Sequence, residues 1–327
     1  MKLGVVGSGL IVDMLLEALT EIEEDKVQVE AICVRPQSKE KGQRLQKEHG
    51  IKKLYTDYET FLKDPEFDFV YIGIINPLHY TYGKQALEAG RNVIIEKPLV
   101  NTGTEAKDLV KIALEKKLYF FEAISIIHLP NFKYAASKIN DIGEIKVVQC
   151  NYSKYSSRDN AYQEGIVKPA FDPALKGGAL RDINIYNLHA VLALFGKPKK
   201  VHYQANKGYN GVDTSGCILL AYPEFTVVST GAKDSASPSF ILIQGTKGYI
   251  RINGPSSHID SVDIGNLKLE ECHFRENKYN SHLVYEFLAF EKIYRQEDMN
   301  TCIKWMDHSI LTMEVLEDLE KGDLIDC

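Results

Sequence analysis

The chain has 327 residues, 44% of them hydrophobic and 26% charged, a soluble globular balance long enough for two hydrophobic cores. Its formal net charge of −6 at pH 7 argues against nucleic acid or an anionic membrane as the main partner. Six cysteines without CxxC or zinc-like spacing read as free thiols of a reducing compartment, and no apolar run reaches the ~18 residues of a membrane span.

The first residues, MKLGVVGSGL, hold no long apolar leader core, so a cytoplasmic protein is expected. Residues 2–6 predict a strand. Residues 11–22 carry apolar side chains at helical spacing. Strand then alternates with helix: strand 27–34, helix 38–49, a short extended piece 53–55, helix 58–63. The run FVYIGII at 69–75 is continuously apolar, as in a parallel strand covered on both faces. Helix 80–89, strand 92–95, helix 104–116 and strand 118–122 complete the series. This alternation predicts a doubly wound parallel sheet, a Rossmann domain over 1–122.

Beyond it the pattern changes. A helix at 130–139 precedes a long strand at 145–155 and a polar loop at 156–176. A helix follows at 179–195. Strands with hairpin-type turns dominate from 200 to 274, and 282–321 is helical. Residues 123–327 therefore predict an α+β domain with an open, mostly antiparallel sheet.

Three strand ends in the first domain carry unusual chemistry. VVGSGLIV links the first strand to the first helix. Gly7 and Gly9 permit a sharp turn and close approach of a pyrophosphate, and the helix start at Leu10 and Ile11 offers free N–H groups. The third small residue of the dinucleotide pattern is replaced by Val12, and a tight turn in any α/β domain could use two glycines. At the end of the second strand, Arg35 and Ser38 stand where a nucleotide's ribose is read. Arginine there favours NADP over NAD, although Arg35 also fits a solvated loop. The fourth strand ends in GIINPLHY, with Ile74, Asn76 and His79. The fifth ends in Glu96-Lys97-Pro98. Lysine is a compact ammonium with three donors, proline fixes φ, and an X–Pro bond is the one that takes the cis form at appreciable frequency. Alone, EKP also fits a strand ending in a solvated lysine.

The second domain adds KGGALRDINIYNLHAVLALFG. Asp182, Tyr186 and His189 fall at i, i+4 and i+7, so one helix face carries a carboxylate, a phenol and an imidazole. In isolation the three also fit a buried Tyr–His pair behind a helix-start Asp. Tyr155, Arg158, Tyr162 and Lys168 are candidate substrate contacts from the polar loop.

Together these stretches resemble the glucose–fructose oxidoreductase / inositol dehydrogenase (Gfo/Idh/MocA) family. The resemblance rests on GVVGSGLI, DFVYIGIINPLHYTYGKQALEAGRNVIIEKPL, FEA at 121–123, GGALRDINIY and IQGTKGYIRINGP. It spans most of the chain, in family order. It implies NADP- or NAD-dependent oxidation or reduction of a sugar, polyol or related small molecule, and pairing of chains through the second-domain sheet as a homodimer or homotetramer. It makes Lys97 the catalytic lysine and Asp182 the helix-borne aspartate. Tyr186 takes the place of the inositol dehydrogenase histidine, as in NADP-using branches. His189 falls where many members have Asp or Asn; Tyr186 is the expected proton carrier, with His189 a further catalytic candidate that binds a second hydroxyl or carries the proton in its place. Departures are Val12, the IIHLP stretch where relatives carry an Arg before FHP, and Asn184 where a glycine is usual. The competing expectation is a non-catalytic dinucleotide-sensing regulator of the same fold.

Overall fold

The structure, a computed structural model, describes residues 1–23, 25–322, 325 and 326. It divides into two compact units, 1–124 with 279–310 and 125–278 with the described residues from 311 onward. In the first unit β1 (Lys2–Val6), β2 (Gln28–Cys33), β3 (Lys53–Tyr55), β4 (Phe69–Ile72), β5 (Asn92–Glu96) and β6 (Phe120–Ala123) form a parallel sheet in the order β3-β2-β1-β4-β5-β6. Between them run α1 (Leu10–Leu19), α2 (Lys39–Glu48), α3 (Tyr58–Leu62), α4 (His79–Glu88) and α5 (Gly103–Glu115). The strand order reverses at β1 and β4, the place where open α/β sheets bind ligands. All four residues of β4 are buried, which explains its unbroken apolar sequence. The strand stops at Ile72, three residues short of the expected 75, because Gly73 begins the turn into α4.

The second unit begins with α6 (Pro130–Ser137), β7 (Ile145–Ser153) and α7 (Asp159–Gln163). A π-helical turn over Leu180–Asn184 leads into α8 (Ile185–Phe195). The strands β8 (Lys200–Lys207), β9 (Asp213–Ala221), β10 (Thr226–Ala232), β11 (Phe240–Gly245), β12 (Gly248–Asn253), β13 (Ser261–Asn266) and β14 (Glu271–Phe274) follow; further along the chain come α9 (Leu283–Arg295) of the first unit, α10 (Met299–Glu320), whose residues from 311 belong to the second, and β15 (Ile325–Asp326). The sheet runs β14-β13-β12-β11-β7-β10-β9-β8-β15. β7 pairs with β10 in parallel, and the other pairs are antiparallel. Burial alternates along β9 and β10, as in a sheet covered on one face. On the open face, register aligns His202, Leu219, Val228, Gln149, Leu242 and Arg251 in one row across six strands.

Sequence alone runs the second domain unbroken from 123 to 327, whereas residues 279–310 join the first unit. The reason is an aromatic face on the parallel sheet. Phe69 and Tyr71 of β4 and Phe121 of β6 need a cover, and α9 supplies it. Phe290 stacks on Phe121 with centroids 4.5 Å apart, Phe287 lies 5.9 Å from Tyr71, and Tyr294 meets Phe69 edge-on at 5.0 Å. Glu21 fixes the entry to α9 by accepting from the backbone N–H groups of Asn280 and Ser281. The periodicity of α9 says that it needs an apolar partner without saying which sheet provides it. Among the described residues no helix is long and apolar enough to cross a membrane, and cysteines 33, 150, 217, 272 and 302 are free thiols.

Candidate active site

The glycine turn at β1 is built for close approach. Gly7 adopts φ +121°, and a Cβ there would collide with the Gly73 carbonyl oxygen, so only glycine fits. Its N–H donates to the Cys33 carbonyl at 2.9 Å, which brings the end of β2 beside the turn. Gly9 caps α1 in extended conformation, and a Cβ there would meet nothing within 4 Å. A cradle that a methyl group would fill therefore lies at the start of α1, where N–H groups and the helix dipole favour a phosphate. Leu10 is exposed and Ile11 half-buried at that start. Val12 is fully buried, and the space for it comes from the neighbouring strand end: a Cβ on Gly73 would lie 3.0 Å from a Val12 methyl. The small residue missing from α1 is supplied by Gly73.

Arg35 is exposed two residues past β2, and Ser38 is half-buried in the turn that Arg35 begins. Ile74 and Asn76 are half-buried at the end of β4. His79 is fully buried, with Nδ1 2.9 Å from the Pro98 carbonyl and Nε2 3.1 Å from the Ile74 carbonyl. It braces the β4 and β5 ends against each other, and burial holds its pKa below the ordinary histidine value. The Lys97–Pro98 bond is cis, Lys97 is half-buried and Pro98 buried. Glu96 is buried behind them. It accepts from the Tyr71 hydroxyl at 2.7 Å and from the Lys97 backbone N–H at 3.2 Å, and burial pushes its pKa up to about 7.

In the second unit, the Gly pair before Asp182 is explained by crowding. A Cβ on Gly177 would lie 2.6 Å from the Pro169 carbonyl oxygen, and one on Gly178, at φ +123°, would strike the Asp213 carboxylate. Asp213 accepts from the Leu180 N–H and the Tyr203 hydroxyl, both at 2.7 Å, so it pins the start of the π turn. Such turns concentrate at functional sites. From 178 to 192 every residue except Asp182 and Tyr186 is buried. The ring of Tyr186 lies 5.9 Å from that of Tyr152, whose hydroxyl is 2.9 Å from the Ser257 Oγ. His189 faces the interior instead, fully buried, with Nδ1 3.4 Å from the Thr312 Oγ1. The predicted polar face is thus two residues wide: Asp182 and Tyr186 keep partial exposure, while His189, three residues further along α8, is buried. Asn184, where a glycine is usual, accepts from Ser229 Oγ at 2.6 Å and donates to the Ser229 carbonyl at 3.1 Å. Gly231 makes room for it, since a Cβ there would lie 2.7 Å from the Asn184 Cβ.

In the polar loop, Tyr162 is buried, stacked on Phe171 and Tyr209, and bonded to Asn210 at 2.7 Å, so it forms the loop's own core. Tyr155 is exposed and donates to Asn160. The structure adds a residue that the sequence reading passed over. Lys233 is buried, and its Nζ donates to Asp182 Oδ2 at 2.8 Å. A signal was available, because Val227, Ser229 and Gly231 are the inward positions of β10 and Lys233 continues their alternation.

A doubly wound parallel sheet with a glycine-lined helix start, joined to an open mostly antiparallel sheet, defines a Rossmann-type oxidoreductase. Residues 1–123 match the oxidoreductase family with NAD-binding Rossmann fold, and residues 136–251 match the GFO/IDH/MocA C-terminal domain. The chain is 27% identical to the scyllo-inositol 2-dehydrogenase (NADP(+)) IolU of Bacillus subtilis, over 98% of this chain and 96% of that protein. It is 30% identical to the trans-1,2-dihydrobenzene-1,2-diol dehydrogenase of Bos taurus, over 78% of this chain and 75% of that protein. Its fold matches that of KijD10, a 3-ketoreductase from Actinomadura kijaniata, with a TM-score of 0.83 at 22% identity over 98% of this chain and 97% of that one. The chain belongs to the GFO/IDH/MocA family and is an NAD(P)-dependent oxidoreductase.

Proposed function

We propose that this protein is an NADP-preferring dehydrogenase or reductase that interconverts a hydroxyl and a carbonyl on a sugar, polyol or related small molecule. The observation that carries this reading is that Asp182 and Tyr186 are the two side chains left partly exposed on an otherwise buried stretch, in a chain that also holds Lys97 at the end of β5. The glycine cradle at α1 fits the pyrophosphate of a dinucleotide. Arg35 and Ser38 suit the extra phosphate of NADP, in keeping with the NADP-dependent relative, and NAD is the alternative.

A bound nicotinamide supplies or takes the hydride at the carbinol carbon. The chain's own residues do the rest. Tyr186 gives its phenol proton to the substrate oxygen during reduction and recovers it during oxidation. A free phenol titrates near about 10, so it needs a neighbouring cation to work nearer neutrality. To the Lys97 ammonium we assign a separate part, donation to the substrate oxygen as charge grows on it. Asp182 orients the substrate. His79 and Glu96 hold the strand ends that carry Lys97. We place the protein in the cytoplasm, as a homodimer or homotetramer formed through the open sheet face.

The test is oxidation or reduction of NADP(H) and NAD(H) across scyllo-inositol, its ketone, trans-dihydrodiols and ketoses. Turnover with NADP(H) is expected to exceed that with NAD(H). Lys97→Met and Tyr186→Phe should each lose about 10²–10⁴ in turnover while still binding NADPH. Near-parental turnover in Lys97→Met would sink the assignment. Silence across the panel, with tight NADPH binding, would favour a dinucleotide-sensing regulator.

A further inference from the structure

Lys233 is 1% exposed, one residue past the end of β10. Its Nζ donates to Asp182 Oδ2 at 2.8 Å and to the Ala170 carbonyl at 2.5 Å, and it lies 4.6 Å from the centroid of the Phe171 ring. Its backbone is fixed on both sides, since its N–H donates to the Thr214 carbonyl and its own carbonyl accepts from Ser156 N–H, each at 2.8 Å. The pair is asymmetric: the Lys233 side chain is 2% exposed and that of Asp182 is 38%. Taking an ammonium out of water costs more than burying an apolar side chain of the same length, which would also pack on Phe171. Stability alone therefore does not account for a lysine here.

Resting on the role given to Asp182 above, we propose that Lys233 is a positioning residue of the reaction, fixing the charge and orientation of the Asp182 carboxylate and tying it to the 156–178 loop. Ser156 N–H, the Ala170 carbonyl and the Phe171 ring all hold to the same lysine. The loop and the carboxylate are thus set by one group, on the inward side of the π turn. Lys233 itself touches no reacting atom and acts through Asp182.

The experiment is a double-mutant cycle in the full chain, using NADPH and whichever substrate of the panel is turned over best. Lys233→Met is expected to lower kcat/KM by about 10–100-fold, with NADPH affinity kept within about threefold. Asp182→Asn should lose at least as much, and the double variant should fall within about threefold of Asp182→Asn alone, because the lysine has nothing left to position. A lysine that merely stabilises the fold would instead lower the melting temperature and multiply its loss onto that of Asp182→Asn. Multiplied losses, or full turnover in Lys233→Met, overturn the proposal while leaving Asp182 in its role. Full turnover in Asp182→Asn overturns both. Should Lys233→Met not fold, Lys233→Gln keeps a donor for the Ala170 carbonyl without the charge, and the same cycle applies.

Discussion

Gly7 and Gly9 share a motif, and the structure gives them different duties. Gly7 is required by the fold itself, through its positive φ and the Gly73 carbonyl pressed against it. Gly7→Ala should cost more than about 2 kcal/mol and be visible as a lower melting temperature. Gly9 is not under that constraint: its φ of −79° suits any residue and open space surrounds it. Gly9→Ala should melt within about 1 kcal/mol of the parent, yet bind NADPH at least about tenfold more weakly, because its methyl fills the cradle meant for phosphate. Fluorescence titration with NADPH checks this, and unchanged affinity in Gly9→Ala would remove the cradle from the argument. The motif was legible in the sequence, but its departures were not. Val12 and Asn184 look like damage to a pattern until Gly73 and Gly231 are seen opposite them. Each compensation lies far away in sequence and close in space, so a local pattern does not expose it. Polar side chains obey the same limit. The i, i+4, i+7 spacing grouped His189 with Asp182 and Tyr186, but spacing does not say which helix positions are covered, and His189 is enclosed in the core beside Thr312.

At the level of elements, the parallel sheet was readable because strand and helix alternate in type. The return of α9 to that sheet was not, because an apolar helix face does not name its partner. That return has an electrostatic consequence. Glu286 of α9 is fully buried, and neither carboxylate oxygen has a hydrogen-bond partner among the described residues. Burial pushes its pKa well above the ordinary value, and Glu96 of β5 and Glu122 of β6 add to the rise. Glu96 itself is pushed up to about 7 from 4.5. Between those values the folded chain holds protons that the unfolded chain has released. The stability that neutral Glu96 allows is therefore complete below about 4.5 and is lost as pH climbs through about 7, and that of Glu286 is likewise complete below its ordinary value and declines as pH rises above it. His79, held below its ordinary 6.5 by burial, works in the opposite direction as pH falls past that value. The clean observable is therefore the difference made by one isostere. Glu286→Gln should raise stability by roughly 1–3 kcal/mol near pH 8 and by much less near pH 5. Melting curves at the two pH values measure it, and an equal effect at both would show that folding does not raise the pKa of Glu286.

At the scale of the whole molecule, the proposed pairing of chains through the open face of the nine-stranded sheet can be tested directly. The row from His202 to Arg251 places Leu219, Val228 and Leu242 on adjoining or near-adjoining strands, and Leu219 and Val228 are 37% and 36% exposed. A face of this kind, with three apolar side chains and Gln149 between the polar ends of the row, is what a two-fold interface covers. In such an interface each substitution appears twice and meets its own copy. Leu219→Arg with Val228→Arg sets like charges directly opposite each other across β9 and β10 and repeats them on the partner copy. Neither side chain belongs to the buried face, so each change should alter the fold's own stability by only about 0.5 kcal/mol. The parent protein is expected to run as a dimer or a dimer of dimers in light scattering, and the double variant at the mass of a single chain or, from a tetramer, at half the parent's mass. A monomeric parent, or a variant whose mass does not fall, would show that this face is not the one that brings chains together.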